Sequence, residues 1–243
     1  MQTMTTQSDS ATRSRSLREW IKNSSHPFAK LLRNSFYGVR HWQCPEIPLL
    51  HASVYRIHQA VALLLSNFVR IFYWTPLFSS KCVTKPKRLY LYSGMPQILG
   101  NLEISVGDNT RISGLSTFTG RTSTASPSLT IGANVDIGWQ TTIAVGTQVI
   151  ISDNVRMAGR CFLAGYPGHP IDPIDRANGK PDTDDQIGAI VLQKNVWLAS
   201  GVSVMPNVVI GENTIVAAGS VVTKSLPANV LAAGIPAKVI RTL

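Results

Sequence analysis

His169 stands between Gly168 and Pro170 in the stretch FLAGYPGHPIDPIDRANGKPDTDDQIGAIV (Phe162 to Val191), and no other histidine follows His58. An imidazole with an ordinary pKa near ~6.5 accepts a proton at neutral pH, so a histidine held beside an alcohol can serve as a general base. Its second ring nitrogen then calls for an orienting partner. Asp172 and Asp175 are the carboxylates nearest in sequence. Cys161 is the competing nucleophile, but it falls at a small, inward position of the repeat described next, where packing is the expected role. Cys44 and Cys82 lie far from it and no CxxC spacing occurs. That argues against a disulfide framework and a cysteine-based zinc site, and fits a reducing compartment.

The elements that must hold these residues scan in sixes from Val106 onward. The windows are VGDNTR, ISGLST and FTGRTS (106–123), IGANVD, IGWQTT and IAVGTQ (131–148), and ISDNVR, MAGRCF and LAGYPG (151–168). After an interruption come LQKNVW, LASGVS, VMPNVV, IGENTI, VAAGSV and VTKSLP (192–227). Position 1 is always Val, Ile, Leu, Met or Phe, and position 5 is mostly small or β-branched, as at Thr110, Ser116, Thr122, Thr141 and Val202. A period of six matches neither the 3.6 of a helix nor the 2 of a flat strand. It suits a solenoid in which each hexamer is one side, three sides close a coil of ~18 residues, and coils stack at ~4.8 Å. Glycine, Asn and Asp gather at positions 2 to 4, where corners need unusual backbone angles. The stretch 168–189 is then a loop thrown out between coils, with His169 at its root. A smooth prism offers no pocket, whereas a loop makes a wall beside a side chain fixed by scaffold.

Charge divides the chain. Residues 1–100 carry thirteen Lys/Arg against Asp9, Glu19 and Glu46, which accounts for the whole net charge of +10, while residues 101–243 carry ten of each sign. The first sixteen residues are polar, lack the apolar core of a secretory signal, and are expected to be disordered. Val54, Ile57, Val61, Leu64, Leu65, Phe68, Ile71 and Phe72 form a helical stripe that Pro76 is expected to close. Its longest uncharged run, Ile57 to Val69, is 13 residues, short of the ~20 that cross a bilayer, so it is not expected to span. The stripe has two readings: a cover for the open end of the prism, or an interfacial helix whose flanking Arg56, Arg70, Lys81, Lys85, Lys87 and Arg88 meet anionic headgroups. The expected organisation is a basic segment over 1–48, a helix and connector over 49–100, and a repeat domain over 101–243.

The windows, with GHP, a loop, and VWLASGVSVMPNVVIGENTIVAAGSVVTKSLPANVLAAGIPAKVIR, resemble the hexapeptide-repeat acyltransferases, in particular the galactoside and maltose O-acetyltransferase branch. Similar chains with a basic, apolar extension occur in polysaccharide biosynthesis. The resemblance implies a mainly β fold, a left-handed parallel β-helix, here with an N-terminal helical extension. It implies direct acetyl transfer from acetyl-CoA (a co-substrate, with no metal) to a sugar hydroxyl of a glycan or glycan precursor. His169 would be the base and a backbone N–H would stabilise the oxyanion. It implies coenzyme contacts at Trp197, Gly219 and Ser220, with Lys224, Lys238 and Arg241 near the phosphates. The branch has an acceptor-binding asparagine one coil before the histidine. Here that region reads IGWQTT, which leaves Gln140 or Trp139, with Asp172, as acceptor-side candidates. A homotrimer with its site between adjacent prisms is implied, in the cytoplasm and peripheral to the inner membrane face where the basic helix meets lipid.

Three other readings compete. A carbonic anhydrase on the same prism needs three histidines on zinc, and of His26, His41, His51, His58 and His169 only the last lies in the repeat. An amino-sugar N-acetyltransferase would use the same groove, and the sequence scarcely separates amine from hydroxyl. A non-catalytic scaffold could use the basic segment for membrane or nucleic acid, but no nucleic-acid module is recognisable, so no nucleic-acid partner is expected.

Overall fold

The computed structural model describes residues 17–243; the expectation of disorder for residues 1–16 lies outside them. The chain divides into two compact units, Met1–Gln59 and Ala60–Leu243.

The second unit is built on a three-sided parallel β-helix. Its faces are an 8-stranded, a 6-stranded and a 5-stranded sheet. The first face starts with Tyr90–Tyr92, the second with Gln97–Leu99 and the third with Glu103–Val106, and each strand pairs in parallel with its counterpart one coil on. The leading residue of every window named above is buried, from Val106 to Val222. These side chains form one continuous core. At position 5, Thr122, Thr147 and Pro167 are exposed, all three where the chain leaves the second face.

The corner between the third and first faces explains the recurrent asparagine. Asn109, Asn134, Asn154, Asn195, Asn213 and Asn229 all have φ between +54° and +63°, a left-handed conformation that asparagine tolerates better than most residues. From Asn134 to Asn229 each side-chain amide donates to the next Oδ1, at 2.8, 3.0, 2.8 and 2.8 Å. At the corner between the first and second faces, Thr141 is fully buried and its hydroxyl has no partner among the described residues. An unpaired buried hydroxyl costs about 1–3 kcal/mol, and Val202 fills the same corner two coils on. Thr141→Val should therefore raise stability by about 1 kcal/mol, seen as a rise in Tm of about 2–4 °C; an unchanged or lower Tm would mean that water satisfies the hydroxyl.

The prism starts earlier than residue 101. Strands Tyr90–Tyr92 and Gln97–Leu99 already belong to its first coil. Their inward residues are spaced irregularly, with Leu91, Ile98 and Ile104 followed by Ile112, so a scan in sixes passes over them.

Pro76 does not end the helix. One helix runs from Pro48 to Lys81, with α-helical turns over Pro48–Val69, a π-helical turn over Arg70–Trp74, and α-helix again over Thr75–Lys81. The π turn shifts the ladder, with Thr75 N–H donating to Arg70 C=O, so Pro76 enters in the first turn of a new segment, where it needs no N–H. The resulting 34-residue helix is long and apolar enough to cross a membrane by length and composition. At its C-terminal end Phe78 and Cys82 join the prism core, and Val83 N–H donates to Ile104 C=O at 2.8 Å. Among the described residues nothing covers the stripe upstream: Val61, Leu64, Leu65, Phe68, Ile71 and Phe72 are all exposed. In the first unit the helix Pro27–His41 buries only Ala29 and exposes Phe28, Leu31, Phe36 and Val39.

Candidate active site

The chain leaves the second face after Phe162–Ala164 and rejoins the third at Ile190–Leu192, so the loop projects from the edge between those faces. Two coils below, residues 121–127 make a smaller excursion from the same edge. Arg121, at the start of the small excursion, ties the two together. Its Nε donates to Asp182 Oδ1 at 2.7 Å, one Nη donates to the Asp182 carbonyl at 2.8 Å, and the other to Asp184 Oδ1 at 2.9 Å. The ion pair is interior, with side chains only 5% and 3% exposed. The hydrogen bond to the Asp182 carboxylate, outweighing burial, pushes the Arg121 guanidinium above its already high pKa. The second oxygen of Asp182 accepts the Gly168 N–H at 3.0 Å. This pair therefore fixes the backbone next to His169. Tyr166 and Thr119 share a hydroxyl–hydroxyl bond of 2.9 Å across the same gap. Below the loop root, Gly146 has no room for a Cβ, which would strike the Gly165 carbonyl.

Between loop and prism lies a cleft of about 420 Å³, lined by Leu99, Thr119, Arg121, Tyr166, His169, Lys180 and Asp182 among others. His169 is exposed in it. The two neighbouring carboxylates do not orient the imidazole. Asp172 Oδ1 caps the short helix Pro173–Ala177, accepting from Ile174 N–H at 2.9 Å and Asp175 N–H at 2.8 Å. Asp175 pairs with Lys180 at 2.8 Å. Local capping captures Asp172 because its own backbone presents the donors first. Cys161 is a packing residue: its thiol donates to the Ala158 carbonyl at 3.1 Å, and burial pushes its pKa up to about 11, leaving little of the thiolate that a nucleophile requires.

The other candidates occupy different parts of the prism. Trp139 and Gln140 sit at the edge between the first and second faces, outside the His169 cleft. Trp139 covers Gly159 and carries the Arg160 guanidinium 4.7 Å from its ring centroid, and Gln140 is a corner residue with φ +55°. Gly219 is at the same edge, with φ +69°. Ser220 is buried and its Oγ accepts Gly234 N–H at 3.1 Å, so its hydroxyl is already engaged. Trp197 points outward from the first face, 49% exposed, between Arg156 and Ile215 of the adjoining strands. Lys238 and Arg241 are exposed on the antiparallel strand Ala237–Thr242 that ends that face. Lys224 is exposed at the His169 edge, two coils further on. In a triangular prism the first face is opposite the edge that carries His169. Trp197 and His169 of one chain therefore lie on different sides of the prism.

Residues 189–224 match the family model for the bacterial transferase hexapeptide (six repeats). That segment carries the hexapeptide repeat. The galactoside O-acetyltransferase of Escherichia coli (strain K12) is 40% identical to it over 113 residues, 46% of this chain and 53% of that relative. The galactoside O-acetyltransferase of Lactococcus lactis subsp. lactis (strain IL1403) is 33% identical over 112 residues, 46% of this chain and 52% of that relative. The chain thus spans about half the length of the curated relatives it matches. Among solved structures, AntD, an N-acyltransferase from Bacillus cereus in complex with dTDP and 3-hydroxybutyryl-CoA, aligns with TM-score 0.54 at 20% identity, over 69% of this chain and 86% of that one. That likeness concerns the fold, a left-handed β-helix.

The matched segment takes in Trp197, Gly219, Ser220 and Lys224, whereas His169 precedes it. Arg121, Asp182, Tyr166 and Thr119 are the site residues that sequence reasoning missed. The signal was available: the scan in sixes breaks after FTGRTS and again after LAGYPG, in both cases on leaving the second face.

Proposed function

We propose that this hexapeptide-repeat protein is an acetyl-CoA-dependent O-acetyltransferase acting on a sugar hydroxyl of a glycan or glycan precursor. The observation that carries the reading is His169, exposed in a cleft, with its neighbouring backbone pinned by a buried ion pair. The identity with two galactoside O-acetyltransferases supports the same chemistry. His169 takes the proton from the acceptor hydroxyl as its oxygen attacks the thioester carbonyl. The tetrahedral intermediate collapses with cleavage of the C–S bond, and the imidazolium returns the proton to the departing sulfur, leaving an acetate ester and free coenzyme A. Trp197 flanks the pantetheine arm, the Gly219–Ser220 backbone follows it, and Lys224, Lys238 and Arg241 meet the phosphates. Because Trp197 and His169 occupy opposite sides of one prism, the complete site forms between two copies. A homotrimer closes three such sites. Incubation with labelled acetyl-CoA and a panel of neutral sugars, amino sugars and oligosaccharides, read by mass spectrometry, tests the reading. Transfer to a hydroxyl is expected; transfer to amines alone would convert it to N-acetylation, and transfer to none would refute it.

We also infer that the helix Pro48–Lys81 lies in the plane of an anionic membrane surface. No Asp or Glu occurs between Glu46 and Glu103, while Arg56, Arg70, Lys81, Lys85, Lys87 and Arg88 do. The helix is long enough to cross, but any stretch of about 20 residues within it carries Arg56 or Arg70 into the hydrocarbon, whereas an apolar stripe flanked by cations suits the interface. The full chain should float with vesicles containing phosphatidylglycerol. The exposed-site variant Leu64→Glu/Phe68→Glu/Phe72→Glu should stay at the bottom of the gradient, and equal flotation of the two would sink the inference.

A further inference from the structure

At the start of the prism the C-terminal end of the long helix borders a second groove, of about 460 Å³, lined by Leu77, Lys81, Met95, Pro96, Gln97, Ile98 and Leu99. Leu99 also lines the His169 cleft, so the two depressions meet at that side chain. The register continues the track along the second face: Leu99 pairs with Thr119, whose hydroxyl bonds Tyr166 of the loop. Chemical character changes along it. The helix end is apolar except for the exposed Lys81 and Gln97, and the His169 end is polar, with hydroxyls, a lysine and the imidazole.

We propose that the acceptor sugar reaches His169 joined through a phosphate to a long apolar chain, with that chain in the Leu77–Leu99 groove and Lys81 at the phosphate. The identity of the transferred group rests on the function proposed above; the groove assignment does not. A free sugar or a nucleotide-linked sugar would leave the apolar end of the track unfilled. An uncharged lipid would leave unmatched the cation at its rim: Glu103 neighbours Lys81 in register, but the lysine forms no ion pair among the described residues. An isoprenyl-type phosphate satisfies both ends, and the exposed apolar stripe that runs on from Leu77 through Phe72, Phe68 and Leu64 leads from the groove towards the surface on which such a lipid resides.

The test uses the full chain and farnesyl phosphate carrying a diazirine on its hydrocarbon tail, without acetyl-CoA. Illumination should label peptides within residues 77–99. Unlabelled farnesyl phosphate should compete, and inorganic phosphate, farnesol and phosphatidic acid at the same concentration should not. Leu77→Glu and Lys81→Glu should each cut labelling at least tenfold. They should also reduce the preference for an isoprenyl-phosphate-linked glycan over the same glycan in water-soluble form at least tenfold. No labelling, labelling elsewhere, or equal loss on both acceptors overturns the proposal, as does competition by phosphatidic acid, which would make the groove a site for bilayer lipid. His169→Ala separates the two readings. It should lower transfer by about 10²–10⁴ and leave labelling intact; labelling in a wild-type protein that acetylates nothing would sink the transferase reading alone, and transfer to soluble glycan without labelling would sink the groove alone.

Discussion

His169→Ala should lower kcat/KM for acetyl transfer by about 10²–10⁴, the range for losing a general base, with the KM for acetyl-CoA nearly unchanged. The separation follows from position. The side chain is exposed at the loop root, so truncation opens no cavity, and a surface change of this kind alters stability by no more than about 0.5 kcal/mol. The residues proposed to hold coenzyme A lie on other elements, chiefly the first face and the terminal strand. The acceptor hydroxyl, far too weak an acid to ionise unaided, then has no proton acceptor at the thioester. Cys161→Ala should cost stability and leave transfer intact in the fraction that folds, because its thiol is buried and bonded to the Ala158 carbonyl. If His169→Ala retains activity within a factor of ten while the thermal transition is unchanged, the base is another group and the reading of the cleft is wrong.

The legible part of this protein was the part whose physics repeats. One large aliphatic residue every six positions is imposed by the interior of a three-sided coil, so Val106, Ile131, Leu192 and Val222 announce their burial in the sequence itself. The same regularity made the 168–189 interruption visible and drew attention to His169. What stayed hidden depended on folding back. Arg121 sits in the window FTGRTS as an ordinary corner residue, and its partner Asp182 is 61 positions away among several loop carboxylates. Asp172 and Asp175 attracted notice by adjacency, yet proximity in sequence gave one to a helix cap and the other to Lys180. Pro76 reads as a stop in the sequence, but the π turn immediately before it resets the hydrogen-bond ladder. Measuring only the run between two arginines also missed that the helix continues beyond both.

The Arg121–Asp182 pair should prove to be a positioning device, and a comparison of single and double variants can show it. Arg121→Met leaves the Asp182 carboxylate buried with little more than the Gly168 N–H for company. Breaking a buried pair from one side costs about 3–5 kcal/mol, much of it felt as opening of the 166–188 loop. A shift of about 1 Å at a reacting group can cost 10²-fold in rate, so kcat should fall by about that factor while the KM for acetyl-CoA holds. Arg121→Met/Asp182→Leu removes both charges, and replacing a buried pair with apolar side chains is often close to neutral for stability. The double variant should therefore recover most of the lost thermal stability. It cannot recover the bond from Gly168 N–H to Asp182 Oδ2, so kcat should stay low. Arg121→Lys, which keeps the charge but loses the fork that reaches Asp182 Oδ1, its carbonyl and Asp184 together, should fall between. Were the pair merely structural, kcat would return with Tm in the double variant. A double variant that melts like the parent and turns over a hundredfold more slowly would mean that the coil acts on chemistry through one backbone N–H, the one beside the base.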